Sequence, residues 1–451
     1  MSTNPAESPR TPLKRVVLAS LVGTTIEWYD FFLYGTAAAL VFNKIFFHQK
    51  DPLVGAMLAF MTYALGFIAR PVGGVLFGHF GDRIGRKKLL MLSLVLMGVA
   101  TFAIGLLPTY DQVGVLAPML LVALRLVQGL AVGGEWGGAI LLVAESGDAS
   151  RRGFWASWAQ VGVPVGNLLA AGVLAVMSAI QTEADFLAWG WRVAFLLSAV
   201  LVGVGYWIRV AVTETPAFAA IQRKAQVEAG AMSHMPVVEV FRHHRQGVLI
   251  GAGLRLGENI CYYVITAFSI TYITEVTHLS RGLALNAVLA GAAAEAVAIP
   301  LFGILSDKIG RRPVYAIGAF GSAIWGFGFF WMVNTGVSSQ TIWAVVIGLV
   351  LHGAMYGPQA AFIAELFSTK VRYTGASIAY QATSIVAGSL APIIALALLT
   401  AYNRSSTPIS IYVFVSCCVS AVSALLAHET KGQTFDEIDQ AAETRIAVAN
   451  R

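Results

Sequence analysis

The sequence predicts an all-α integral membrane protein of twelve transmembrane helices in two pseudo-symmetric six-helix bundles. Three observations predict it. Hydrophobic residues make up 57% of the chain and charged residues 12%, with mean hydropathy +0.71, a membrane composition and not that of a soluble core. Twelve segments reach the roughly 20 mostly apolar residues that a helix needs to cross a ~30 Å hydrocarbon layer while satisfying its own backbone. The charged stretch GHFGDRIGRKK at 78–88 returns as GILSDKIGRRP at 303–313, with Gly78, Asp82, Gly85 and Arg86 matched by Gly303, Asp307, Gly310 and Arg311.

In chain order, residues 1–15 form a polar tail, and the apolar run after it is too long for a cleaved signal peptide, so it stays as the first helix. Spans are expected near 16–42, 53–80, 89–107, 115–144, 153–180 and 189–212, which together form the first bundle, 16–212. A polar, charged linker follows at 213–245, where ETPAFAAIQRKAQVEAG suits a surface helix. The second bundle, 246–428, has spans near 246–273, 283–305, 313–333, 341–364, 374–400 and 408–427, and residues 429–451 form a short, mildly acidic tail. The duplication extends beyond the charged loops: Glu145 and Glu365 end spans 4 and 10, and Trp158-Ala159-Gln160 is echoed by Ala379-Tyr380-Gln381.

Charge orients the chain. With both termini cytoplasmic, most of the 30 basic residues fall on the tails and even-numbered connections, and only Lys44, Lys50, Arg192, Arg281 and Arg404 fall on the other side. This is the positive-inside pattern of a multi-pass plasma (inner) membrane protein. The net charge of +6 is therefore a topology signal facing an anionic leaflet, not a sign of a nucleic-acid partner. Cys261, Cys417 and Cys418 lie in spans without metal-ligand spacing, so neither a disulfide framework nor a zinc site is expected.

Three arginines, Arg70, Arg125 and Arg255, lie inside spans. A charge at mid-membrane costs roughly 2.5 to 3.5 kcal/mol on insertion scales, so each needs a partner, a watery cavity or a function. Helical spacing puts Glu27, Asp30 and Tyr34 on one stripe of span 1 and Arg255, Glu258 and Tyr262 on one stripe of span 7. Arg125, Gln128 and Glu135 share a sector of span 4, as His352, Tyr356 and Gln359 do in span 10. Two readings stand for these stripes: a water-accessible midplane pathway, or polar packing between helices.

Arg70 lies too deep to reach the interface and offers a planar fork to a carboxylate, so it is either a substrate anchor or the buried partner of Glu27 or Asp30. The repeat sets Glu295 opposite Arg70, leaving Glu295 as a partner across the pseudo-twofold axis, a substrate contact, a proton site or a partner of Arg255. Proton coupling needs a group that changes charge, and desolvated carboxylates do so. Asp30 and Glu27, one turn apart, are the first candidates, with Glu258 next; Glu135 reads as a structural partner of Arg125, and His352, alone on a helix face, as a hydrogen-bonded packing residue. The glycines of GLAVGGEWGG lack the strand and the GK[ST] ending of a phosphate loop and suit close helix packing. Gly162, Pro164 and Gly166 mark either a bend or close packing in span 5.

The paired loops at 78–88 and 303–313 resemble those of the major facilitator superfamily, and the resemblance covers nearly the whole chain. More narrowly, GTTIEWYDFFLYG (23–35), ARPVGGVLFGHFGDRIGRK (69–87), RLVQGLAVGGEWGGA (125–139) and WGWR (189–192) resemble the metabolite:proton symporter family, and LRLGENICYYVITAF (254–268) is similar to its shikimate permease branch. The resemblance implies a secondary transporter, not an enzyme, that works by alternating access with a proton as coupling ion and no cofactor. It implies a small carboxylate as substrate, shikimate-like by first preference, then a dicarboxylate or 2-oxoacid, then a zwitterion such as proline or betaine; a drug exporter fits less well, and a monomer is expected. It makes spans 1, 4, 7 and 10 the cavity-lining set, and the polar residues singled out above, Arg70, Arg125, Gln128, Tyr34, Arg255, Tyr262 and Glu295, are the expected substrate contacts. It also implies that Asp82 stabilises the closed cytoplasmic side by meeting the start of span 11 near Arg372-Tyr373-Thr374-Gly375, and with Asp82 the repeat-matched Arg86, Asp307, Arg311, Glu145 and Glu365 are expected as gating residues.

Overall fold

The computed structural model describes residues 13–47, 51–84, 86–132, 143, 148–213, 236–369 and 371–449, and every regular element among them is helical. The first half contains α1 (Leu13–Ala37), α2 (Pro52–Ile84), α3 (Arg86–Gly105), α4 (Leu116–Val132), α5 (Arg152–Ile180) and α6 (Ser198–Thr213). The second contains α7 (Arg245–Tyr263), α8 (Arg281–Ile309), α9 (Arg311–Val333), α10 (Ser338–Glu365), α11 (Arg372–Thr383) and α12 (Thr407–Leu426), after which the tail forms α13 (Phe435–Ala449). Among the described residues nine helical stretches are long and apolar enough to cross a membrane, and Met91–Gly105 and Leu116–Val132 are shorter apolar helices at the third and fourth expected spans. The stretch expected as a linker helix, and Glu135 with its neighbouring glycines, lie outside the described residues.

The distribution of polarity inverts that of a soluble protein. Trp207, Trp331, Leu249 and Ile324 are 70–72% exposed on the outer surface, whereas Arg125, Arg255, Glu258, Glu295 and His352 are at most 3% exposed. An apolar exterior costs nothing against lipid, and charge gathers where protein groups replace water.

Helices α1, α7 and α11 each pass into π-helical turns, Ala38–Phe42, Val264–Phe268 and Ser384–Ser389, just beyond Tyr34, Tyr263 and Tyr380. Such a turn shifts the helix face that follows it, and each one here follows a residue of the central charged region.

Small residues let the helices approach. A Cβ on Gly166 would lie 2.8 Å from Thr25 O and Tyr29 N, so this glycine of α5 serves the close seat of α5 on α1, and α5 runs through Pro164 as one helix. Between the halves α5 packs along α8, and Ala156 and Ala159 pack on Ala360, Ala361 and Ala364 of α10. The other seam joins α2 to the π-helical end of α11, where a Cβ on Gly388 would lie 3.0 Å from both Phe67 and Tyr263.

Candidate functional site

At the centre of the first half, two guanidinium groups flank one ring. The Cζ of Arg70 lies 4.5 Å from the Phe31 centroid and that of Arg125 lies 4.6 Å from it. Arg70 also sits over Phe67 at 4.7 Å, and Arg125 over Tyr34 at 4.3 Å and Tyr63 at 4.8 Å. A guanidinium stacks on the negative face of an aromatic ring and keeps its in-plane N–H groups available. Arg125 donates to Gln128 Oε1 at 3.1 Å and, at 3.5 Å, to the Tyr63 carbonyl; Gln128 in turn donates to Thr101 Oγ1 at 2.7 Å. Gly66 makes room for this crossing, because a Cβ there would lie 2.5 Å from Arg125 Nε.

Tyr34, under the Arg125 guanidinium, donates to Thr62 Oγ1 at 2.7 Å. Asp30 is buried beside Thr101 and within the field of Arg125, but among the described residues neither of its oxygens has a hydrogen bond, so the alternative of a direct Arg70–Asp30 pair is not realised. Arg70 is 5% exposed, and its Nε has no hydrogen-bond partner among the described residues. Glu27, one turn before Asp30, is half-buried.

The second half holds its arginine in another way. Arg255 Nη1 lies 2.5 Å from Glu258 Oε2 and 3.2 Å from Gln359 Oε1, while Nη2 donates to Tyr380 Oη at 2.6 Å. Gln359 Nε2 donates back to Glu258 at 3.1 Å. Glu258 Oε1 is 2.8 Å from His352 Nε2, and His352 Nδ1 is 2.5 Å from Glu295 Oε1. Glu295 thus meets His352, not Arg70 or Arg255, and His352 is the centre of a charged cluster where the sequence suggested a packing histidine.

The reason is tertiary. His352 on α10 reaches both α7 and α8, a convergence that no single-helix stripe displays.

Aromatic residues join the two centres. Phe32 lies 5.5 Å from Tyr262, Tyr63 lies 6.2 Å and Phe67 5.8 Å from Tyr263, centroid to centroid. Tyr263 and Tyr380 fall within electrostatic reach of both Arg70 and Arg255. Tyr262 accepts a hydrogen bond from Asn167 of α5 at 3.2 Å and packs on His352 at 4.8 Å. The arrangement suits a small anion held between guanidinium forks and bounded by rings.

At the end of the molecule that bears α13, Asp307 accepts from the backbone N–H groups of Gly153 and Phe154 at 2.8 Å each. These are first-turn donors of α5, so the carboxylate of the second half caps a helix of the first. Arg311 lies 2.5 Å from Asp307 and 3.4 Å from Glu365, and Arg152 of the first half lies 2.8 Å from Glu365. The tail adds contacts that the sequence did not signal: the Phe435 ring lies 3.8 Å from Arg152 and 3.6 Å from Arg372, and Glu429 accepts from the N–H groups of Arg311 and Arg312 at 3.0 Å each. The side chains of Asp82 and Arg86, and all of Glu145, lie outside the described residues. At the opposite end Arg281 of the second half donates to Ser178 at 2.9 Å and stacks over Phe186 at 4.1 Å.

Comparisons with known proteins agree with this architecture. The family model described as Major Facilitator Superfamily matches residues 20–392 and, in a second match, 260–433. The chain is 40% identical over 437 residues to the shikimate transporter of Escherichia coli (strain K12), covering 96% of this chain and 98% of that one. It is 32% identical to the proline/betaine transporter of the same organism over 95% of this chain and 86% of that one. Among solved structures, a partially occluded, inward-open form of the xylose transporter XylE from E. coli superposes with a TM-score of 0.70 at 20% identity, covering 94% of this chain and 99% of the other. The chain is a multi-pass membrane transporter, not an enzyme, and it belongs to the major facilitator superfamily.

Proposed function

We propose that this transporter imports a small organic acid together with a proton, by alternating access across the plasma (inner) membrane, and that a shikimate-like carboxylate is its substrate. The observation that carries the reading is the pair of guanidinium groups of Arg70 and Arg125 stacked on Phe31. Rings hold both cations in place; Arg125 also donates to Gln128 and the Tyr63 carbonyl, whereas Arg70 Nε has no hydrogen-bond partner among the described residues, and an incoming carboxylate is the natural occupant of the Arg70 fork. The 40% identity to a protein named as a shikimate transporter, against 32% to one named for proline and betaine, favours a cyclic carboxylate over a zwitterion.

In this reading Arg70 anchors the substrate, Arg125, Gln128, Tyr34, Arg255 and Tyr262 shape the site, and the buried carboxyls of Asp30 and Glu258, with Glu27, are the groups able to carry the coupling proton. The bundles 16–212 and 246–428 rock about the central site as a monomer, with both termini cytoplasmic. Asp307, Arg311 and Glu365 then latch the cytoplasmic side, and Asp82, Arg86 and Glu145 form the symmetry-related latch.

The test is uptake of radiolabelled shikimate into proteoliposomes with and without an imposed inward proton gradient, with unlabelled dicarboxylates, 2-oxoacids, proline and betaine as competitors. Gradient-dependent accumulation that none of these competitors blocks supports the reading. Blocking by proline or betaine alone replaces the substrate, and accumulation indifferent to the gradient removes the proton.

A further inference from the structure

His352 has a carboxylate oxygen at each ring nitrogen: Glu258 Oε1 at 2.8 Å from Nε2 and Glu295 Oε1 at 2.5 Å from Nδ1. Each of these contacts needs a hydrogen, because two lone pairs facing each other at such distances repel. A neutral imidazole supplies only one. The second must be an added proton, either on the ring, making imidazolium, or on a carboxyl, which then donates to the ring nitrogen.

Charge balance gives the same answer by a separate route. Arg255 offsets Glu258, which it meets at 2.5 Å, and this leaves Glu295 and His352 to balance each other. With the extra proton the four groups are neutral; without it they carry one net negative charge. All four side chains are at most 3% exposed, and an uncompensated charge at such depth is strongly disfavoured. Glu295 Oε2 is buried and has no hydrogen-bond partner among the described residues, so His352 is the partner the described structure gives this carboxyl group.

The other titratable groups near the cluster leave this count unchanged. Cys261 and Tyr262 of α7, Tyr315 of α9, Tyr356 of α10, Tyr380 of α11 and Cys417 of α12 are neutral in their ordinary protonation state, and α5 contributes the neutral amide of Asn167.

The geometry points to Glu258, His352 and Glu295 as a single proton-binding centre in the second half, holding one exchangeable proton that it takes up from one side of the membrane and releases to the other. This rests on the proton-coupled reading above and assigns its proton to a site built by α7, α8 and α10. Proton transfer here is simple addition and loss at an N···O contact, with no other bond made or broken. Access is tied to the movement of the halves, because Tyr262 covers the His352 ring at 4.8 Å and is itself held by Asn167 and Phe32 of the first half. When the halves separate, those contacts break and water reaches the cluster.

The test uses the full chain in proteoliposomes with radiolabelled shikimate, measured in two arms: exchange without a gradient, and accumulation driven by an imposed pH gradient. Wild-type protein is expected to exchange and to accumulate, by up to about tenfold per pH unit for one proton. Glu295→Gln and His352→Gln are expected to exchange at a measurable, reduced rate while their accumulation ratio falls to one. Wild-type exchange without accumulation would sink the proton-coupled reading itself. If wild type accumulates and both variants accumulate as it does, the cluster is not the coupling site, and loss confined to Asp30→Asn would return that role to α1. Should a variant fail in both arms, proton binding by the purified protein in detergent, followed with a pH indicator, decides the question. Glu295→Gln is expected to bind one proton fewer than wild type across the neutral range, and an equal number overturns the assignment.

Discussion

In the first half Arg70 and Arg125 lie over aromatic rings with no carboxylate paired to either among the described residues, and in the second Arg255 lies over the Tyr380 ring and is bound to the Glu258 carboxylate, the Gln359 amide and the Tyr380 phenol. The difference is one of counter-charge. A ring offsets part of a cation's desolvation without neutralising its charge, whereas a carboxylate at 2.5 Å neutralises it. In the proposed reading the first arrangement accepts an anion, and the second, with Arg255 already paired to a carboxylate, responds to the loss or gain of one proton. On that same proposed reading, the duplicated fold places substrate binding and proton storage in opposite halves.

The sharpest way to break this contrast is Glu258→Gln. It strips Arg255 of its counter-charge and His352 of one acceptor, and removing one member of a buried pair costs about 3 to 5 kcal/mol. A clear fall in thermal midpoint of the purified protein is expected, larger than for any first-half substitution below. An unchanged midpoint would mean that water already solvates the cluster.

Next in size is Arg70→Ala, expected to weaken substrate binding by about 1.5 to 3 kcal/mol, the range for hydrogen bonds to charged groups, with little change in thermal midpoint. Arg70→Lys keeps charge but loses the planar fork and falls between. Exchange kinetics at equal membrane expression check both; wild-type affinity in the Ala variant removes Arg70 from the site.

Asp307→Asn probes the end of the molecule. Losing the charge that faces two N–H groups of α5 and Arg311 is expected to shift the conformational balance by ~1 to 2 kcal/mol, a several-fold change in population. Labelling of cysteines placed beneath the latch, after replacing Cys261, Cys417 and Cys418, reports that change, and Asp82→Asn tests whether the symmetry-related residue behaves alike. Identical labelling in wild type and Asp307→Asn would reduce the contact to local packing.

Phe31→Leu sharpens the comparison from the first-half side. It removes the ring shared by Arg70 and Arg125, and a loss of about 1 kcal/mol in substrate affinity is expected from cation–π stacking, without effect on pH-driven coupling. The smallest effect belongs to Lys44→Ala. Its pair with Glu183 is 41% and 64% exposed, so no more than ~0 to 1 kcal/mol is at stake, and less in high salt. Uptake measured at two ionic strengths should scarcely distinguish this variant from wild type.

Hydrocarbon thickness and the cost of an unsatisfied backbone make span length and helix type legible residue by residue, and for that reason the all-helical membrane fold could be read from the chain alone. The stripes of α1 and α7 were legible too, because 3.6-residue periodicity is a property of one helix. The same local logic singled out Arg70, Arg125 and Arg255, since charge within an apolar run is visible without knowing its neighbours. Partnership is not visible in that way. Glu295 and His352 are distant in sequence, and only the packing of α8 against α10 brings them to 2.5 Å. Phe435 between Arg152 and Arg372 likewise depends on where α13 returns to the bundle. The sequence by itself determined which residues had to be compensated within the membrane; the tertiary structure decided which groups compensate them, because that depends on distances between helices and not along them.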